Sequence, residues 1–518
     1  MPSRRSQRLL TAAVLLAGAI ANPAVAGGLT DAEIQTLLQE RIDQHKMGVG
    51  IVVGIVDEHG PRVISQGKTK AGGAQDVNGD TLFEIGSITK VFTTLLLQDM
   101  VDRGELQLGD PIGKFLPSYV ETPSYNGRQI TLVDLATHTS GLPRVPYGLW
   151  YMLFHYDDPY AAFTDQKFYK FLSHHKLRGE IGTNFEYSNL GMMLLGQVLS
   201  LKAKTNYESL VLQRICEPLK MNSTCIRLSP ELKSRFAQGH DDSENPVRSW
   251  SQPLPAAGGL RSSVNDMLKF LSAEMGLTHS SLSEAMLKTQ IPHYTPKDPT
   301  MEATGLGWAI DRKSGIIWHD GGTSGYMSWI DFNTKTRRGV IVLANSADDV
   351  DDLGAMLSGH LNAAAYSRRG VAREVLGDYS GAVSDYDEVI KLKPADSDWE
   401  RLYRQTLLCR LGQPAGDFSK ELAGCKLGWT HTLARFLAGQ LDETALLAAA
   451  KKSDGVAAPE QKGLARYYIG MARLSKGDPA GAREMFEKCL HDSLKGDDEY
   501  EFAVAELARL NAAKRTLL

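Results

Sequence analysis

Residues 83 to 90 read Phe83-Glu84-Ile85-Gly86-Ser87-Ile88-Thr89-Lys90, and the rest of the chain is read from them. From Ile88 onward the apolar residues Val91, Phe92, Leu95 and Leu96 recur at helical spacing, so Ser87 is expected to open a buried helix. Residues three apart share a helix face, which places Lys90 one turn from the Ser87 hydroxyl. A serine alcohol is a weak nucleophile until a base takes its proton, and burial makes lysine such a base by disfavouring its charged form. The helix N-terminus adds unpaired N–H groups where an oxyanion would form. These are the parts of acyl-transfer chemistry. The bare Ser-x-x-Lys spacing is cheap, however: Ser65 to Lys68 and Ser173 to Lys176 repeat it, the first with a glycine in a strand-like run, the second in a polar segment.

Further elements follow in order. Val49 to Val56 and Arg62 to Ser65 are β-branched runs around Asp57-Glu58-His59-Gly60, which reads as a hairpin. The Ser87 helix is expected to run to Arg103 and stop at Gly104. His138-Thr139-Ser140-Gly141-Leu142-Pro143 reads as a structural turn, because Lys90 already fills the base role. Tyr187-Ser188-Asn189 precedes the apolar helix pattern Met192, Leu194, Leu195, Val198 and Leu199. Pro255 to Ser263 is a Gly-rich turn before a capped helix and reads as cleft wall. Ile316-Ile317-Trp318 leads into His319-Asp320-Gly321-Gly322, with two more strand-like runs at Tyr326 to Phe332 and Gly339 to Asn345. Glycines there would let a substrate lie close to a strand backbone.

Taken together, the octet around Ser87, Tyr187-x-Asn189 and His319-x-Gly321 resemble the three motifs of the serine β-lactamase and penicillin-binding superfamily, nearest its class C branch. With the His138–Pro143 and Pro255–Ser263 elements, the resemblance covers residues 29 to about 361. It implies an α/β fold, an antiparallel sheet of about five strands flanked by helices, with a helical lobe. It also implies an acyl-enzyme mechanism without metal or organic cofactor. Ser87 would attack, Lys90 and Tyr187 would move protons, and Asn189 would bind the substrate amide and help hold Lys90. The N–H groups of Ser87 and Gly322 would hold the oxyanion. Two positions depart from the class C pattern. Thr89 stands where a smaller Ser or Ala is usual, and His319-Asp320-Gly321 replaces Lys-Thr-Gly. The latter resembles D-Ala-D-Ala carboxypeptidases, D-amino-acid peptidases and esterases of the same superfamily. Histidine is mostly neutral at pH 7, so the substitution weakens carboxylate recognition and strong β-lactam turnover. The expectation is therefore a hydrolase of β-lactam amides, with a D-Ala peptidase or carboxylesterase as the alternative and a non-catalytic ligand sensor as the third reading.

The 518 residues suffice for two or three domains, and a formal charge of −4 gives no reason to expect nucleic acid. Arg4, Arg5 and Arg8 before an apolar run from Leu9 to Ile20, then Ala24-Val25-Ala26, read as a signal peptide over 1–26. A periplasmic or secreted protein without a transmembrane segment is expected. The hydrolase domain is read as 27–362. From 363 to 518 the composition turns to alanine-rich helix. Tyr366, Gly370, Gly377, Tyr379, Ala382, Tyr386 and Pro394 fall at tetratricopeptide offsets, with a second copy near Gly470, Gly477, Ala482 and Phe486. Such repeats suit a protein partner as well as the small-molecule substrate. Cys216/Cys225 and Cys409/Cys425 are close enough in sequence to bridge or to stay as free thiols, and no Cys/His cluster has metal-ligand spacing.

Overall fold

The computed structural model describes residues 29–44, 47–145, 163–250, 254–299, 301–359, 363–394, 397–412, 428–450, 458–493 and 498–516. The expected signal segment, residues 146–162 and Cys425 lie outside them. The chain divides into two compact units, residues 28–43 with 47–360, and residues 361–518.

In the first unit, β1 (Gly50–Asp57) and β2 (Gly60–Gly67) form the expected hairpin, paired from Gly50–Gly67 to Asp57–Gly60. Gly60 closes its turn at a φ of +101°, a left-handed value that a side chain would resist. Two small ladders join β3 (Leu82–Glu84) to β6 (Arg261–Ser263) and β4 (Ser124–Tyr125) to β5 (Arg128–Gln129). The main sheet is completed by β7 (Ala303–Thr304), β8 (Ala309–Ile310), β9 (Ile317–Gly322), β10 (Met327–Asn333) and β11 (Arg338–Ala344). Its order is β2-β1-β11-β10-β9-β8-β7, antiparallel throughout. The sheet thus has seven strands where about five were expected. The two extra ones, β7 and β8, are too short to leave any periodicity in the sequence.

β1 is buried at every residue but the last, which is why it reads as a continuous β-branched run without polar alternation. Helices Val264–Glu274 and Asp351–Ser358 pack on the central strands. Helix Thr89–Asp102 is buried on all sides from Thr89 to Met100, so it passes through the core. Its threonines are tied down there: Thr93 Oγ1 donates to Ala256 O at 2.7 Å and Thr94 Oγ1 to Leu306 O at 2.9 Å. The unusual Thr89 has a role of this kind, accepting the Leu260 N–H at 3.1 Å. The helix ends at Asp102, with Gly104 in the left-handed region at φ +71°. Cys216 and Cys225 are free thiols, and burial pushes that of Cys225 up to about 11.

Among the described residues, the regular elements of the second unit are all helices. Its pairs Ala363–Leu376 with Tyr379–Leu392 and Ala458–Ser475 with Pro479–Asp492 repeat one another closely. Gly370 lies under Tyr386 and Gly470 under Phe486, and Asp378 and Asp478 each cap the N–H of a glycine three residues on. The last helix, Asp498–Thr516, packs on the first pair, where Arg509 donates to the Glu374 carbonyl at 3.0 Å. Between them Glu374 accepts from Tyr467 at 2.7 Å and Tyr386 at 3.1 Å, and burial pushes its carboxyl up to about 8. This inner face is filled by the unit's own tyrosines and carboxylates.

Candidate active site

Gly86 to Ile88 form a single 3₁₀ turn that runs directly into helix Thr89–Asp102, so Ser87 sits at the mouth of a helix whose body is core. The end of β9 presses against that turn. A Cβ on Gly86, whose φ is +49°, would stand 2.6 Å from the Gly322 nitrogen; one on Gly321 would stand 2.3 Å from the Ile85 oxygen. Only glycine allows the approach. Ser328, opposite Gly321 on β10, clamps it: its hydroxyl lies 3.0 Å from Ile85 O and 3.2 Å from Gly321 O.

Lys90 is fully buried, with Nζ 2.8 Å from Ser87 Oγ and 2.6 Å from the Ala257 carbonyl. Burial lowers its pKa to about 7, against a smaller raising effect of Asp320 and a further lowering by Arg144. The Ala257 carbonyl belongs to the turn read from sequence as passive wall; it is instead a direct partner of the amine. No side-chain pattern could announce a backbone acceptor.

The Tyr187 ring centroid lies 4.9 Å from Lys90 Nζ. The loop carrying it is held by His138, at the left-handed φ of +59°. His138 O accepts from Glu186 N–H at 2.8 Å, its Nδ1 accepts from Ser188 N–H at 3.1 Å, and its ring lies against Tyr187 at 4.5 Å. Ser188 then caps the helix Asn189–Ala203, accepting the Gly191 N–H at 2.9 Å. Asn189, the first residue of that helix, faces the same cleft as Ser87.

The cleft has a volume of about 390 Å³, and Ser87, Arg144, Tyr187, Asn189, Trp250, Asp320 and Gly322 are among its walls. A larger hollow of about 650 Å³, along Ser200, Lys204 and Tyr207, has no hydroxyl–amine contact like that of Ser87 and Lys90 among the described residues, so the chemistry selects the smaller one. Gly321 lies behind the wall, against Ile85. His319 is 6% exposed and lines an adjoining cavity with Tyr187, not the Ser87 cleft. Its Nδ1 bonds the Asp320 carbonyl, and burial lowers its pKa below 6.5, so it is neutral at pH 7. The permanent cation in the cleft wall is Arg144, its guanidinium 5.0 Å from the Tyr187 ring and without an ion pair among the described residues. Sequence reading missed it, since a lone arginine after a turn carries no signal. Among the described residues no group of three or more His, Cys, Asp or Glu is placed to hold a metal, and no helix is long and apolar enough to cross a membrane.

The chain is similar to known proteins in sequence and fold. The Beta-lactamase family matches residues 34–364. The D-alanyl-D-alanine-carboxypeptidase/endopeptidase AmpH of Escherichia coli (strain K12) is 28% identical over 382 residues, covering 68% of this chain and 97% of that protein. The class C β-lactamase of Rhodobacter sphaeroides superposes with a TM-score of 0.52 at 27% identity, over 60% of this chain and 93% of that one. The D-alanine carboxypeptidase AmpC of Burkholderia cenocepacia gives 0.54 at 25%, over 63% and 97%.

Proposed function

The chain belongs to the β-lactamase family, a family of serine hydrolases, and on that premise we propose that Ser87 is its nucleophile and Lys90 its general base. The observation that carries this is Lys90 Nζ at 2.8 Å from Ser87 Oγ, in a setting that holds the amine near pKa 7. The neutral amine donates to the Ala257 carbonyl and turns its lone pair to the serine proton. As Oγ adds to the substrate carbonyl, the oxyanion meets the N–H groups of Ser87 and Gly322. The proton passes by way of Tyr187 to the leaving group, and water then releases the acyl chain from Ser87. Asn189 and Gly322 line the acyl side, Gly321 supplies clearance, and Arg144 offers the fixed positive charge that neutral His319 does not.

These features favour a penicillin-recognising hydrolase that cleaves D-amino-acid peptides or esters, with β-lactams acylating it more readily than they turn over. The hydrolase domain is 27–362, exported behind the 1–26 signal. Residues 363–518 form a separate tetratricopeptide-like domain whose packed inner face leaves its outer surface for any protein partner. The test is a fluorescent penicillin, with wild type and Ser87→Ala compared, alongside a chromogenic cephalosporin, a D-Ala-D-Ala peptide and a short nitrophenyl ester. Labelling and hydrolysis should vanish together in the variant. Turnover that survives it removes Ser87 from the mechanism.

A further inference from the structure

The cavity beside the cleft is lined by features that the chemistry at Ser87 leaves unused. It holds about 210 Å³ and shares Tyr187 and Asp320 with the cleft, but Ser87 is not among its walls. Trp308, Trp318 and Phe185 make it aromatic, and the apolar rim is open to water, with Met301 50% and Phe185 41% exposed. Uncovered large apolar side chains around a concave site are what a ligand covers. The cavity also has one polar anchor. Because His138 Nδ1 accepts the Ser188 N–H, the neutral ring carries its proton on Nε2. That N–H belongs to a side chain only 4% exposed and has no partner among the described residues. Burial and the nearby Lys90, His319 and Arg144 hold the ring neutral and favour a negative acceptor beside it.

We propose that this cavity is the leaving-group subsite, and that it takes a ring-sized apolar side chain whose own carboxylate accepts the His138 Nε2–H. The inference rests on the Ser87/Tyr187 reading above. The group that receives a proton from Tyr187 must depart beside the phenol, and the cavity opens on that residue; Asn189 and Gly322 line only the other side. In the step itself the Ser87 Oγ–acyl bond forms and the scissile bond breaks. The serine proton, carried through Lys90 and Tyr187, ends on the departing oxygen or nitrogen. A leaving D-alanine would put a single methyl in this space and leave the aromatic walls bare.

The experiment uses the full chain and two depsipeptides, N-acetyl-D-alanyl-D-lactate and N-acetyl-D-alanyl-D-phenyllactate. They share an acyl group, and their leaving alcohols have similar acidity and the same carboxylate. Wild type should favour the phenyllactate about tenfold or more in kcat/KM, as expected for burying a ring. Ala309→Trp, at a half-buried position of the short strand β8, fills the cavity and should bring the ratio near one. Phe185→Ala and Met301→Ala, both at exposed positions, should lower it several-fold and keep the test standing if the tryptophan variant does not fold. A wild-type ratio near or below one, or a ratio that survives all three changes, overturns the subsite. So does failure to cleave either depsipeptide by protein that penicillin still labels. Loss of that labelling would instead refute the hydrolase reading beneath it.

Discussion

The pH dependence of acylation should report Lys90 directly. Folding lowers its pKa from 10.5 to about 7, chiefly by removing water from the ammonium. That drop corresponds to about 5 kcal/mol against the charged form, so roughly half the molecules carry the neutral base at pH 7, against roughly one in three thousand for an ordinary lysine. With a small neutral ester, kcat/KM should rise about tenfold per pH unit and level off near pH 7. Two neighbours then give opposite tests, because Asp320 raises this pKa and Arg144 lowers it. Asp320→Asn should move the limb to lower pH and Arg144→Gln to higher pH, each by about half a unit for partly screened charges. Single-turnover acylation of both variants on the uncharged ester separates this effect from substrate binding. A limb above about pH 9, or two variants moving it in the same direction, would refute lysine as the base.

The same buried amine has a thermodynamic cost. Its folded pKa is depressed, so between about 7 and 10.5 the native chain binds fewer protons than the unfolded one, and this residue's contribution to stability rises with pH across that window. Lys90→Met should therefore be inactive yet more stable at pH 7 by about 2–3 kcal/mol after its lost hydrogen bonds are subtracted, with the gain fading as the pH rises from 7 to 10.5. Urea melts at two pH values check this, and destabilisation at pH 7 would count against it. Gly86→Ala adds a Cβ 2.6 Å from the Gly322 nitrogen at φ +49°, so it should spread the oxyanion donors and slow acylation about a hundredfold or more while circular dichroism stays native. Removal of residues 361–518 should leave penicillin labelling intact; its loss would show that the hydrolase unit does not fold alone.

What the sequence made legible was whatever rests on side-chain pattern. The hairpin, the Ser87 helix, the Tyr187-x-Asn189 turn into a helix, and β9 to β11 all announce themselves by periodicity or turn residues, and the structure forms each of them. What stayed hidden rests on backbone or on distant contacts. The Ala257 carbonyl, the Ser328 clamp across β10 and the unpaired Nε2 of His138 depend on how remote segments meet. His319 shows the limit most clearly. Its place on β9 follows from the sequence, but its side chain lines the neighbouring cavity, because alternation on a strand fixes a face and not what covers that face.

The chain contains its own control for what gives Ser-x-x-Lys meaning. Lys68, in one of the other copies, is half exposed on the surface and pairs with Asp76 at 2.6 Å. Water and a carboxylate both keep such an amine charged, and a charged amine cannot take a proton. Lys90 has the same spacing from its serine but is fully buried and met by a neutral carbonyl, and its strongest charge neighbours, Asp320 and Arg144, act in opposite directions. Burial therefore decides its ionisation. On the proposed mechanism the packing of Thr89, Thr93 and Thr94 against the Ala256–Leu260 turn and Leu306 therefore serves the base, since any loosening that admits water would return Lys90 to the condition of Lys68.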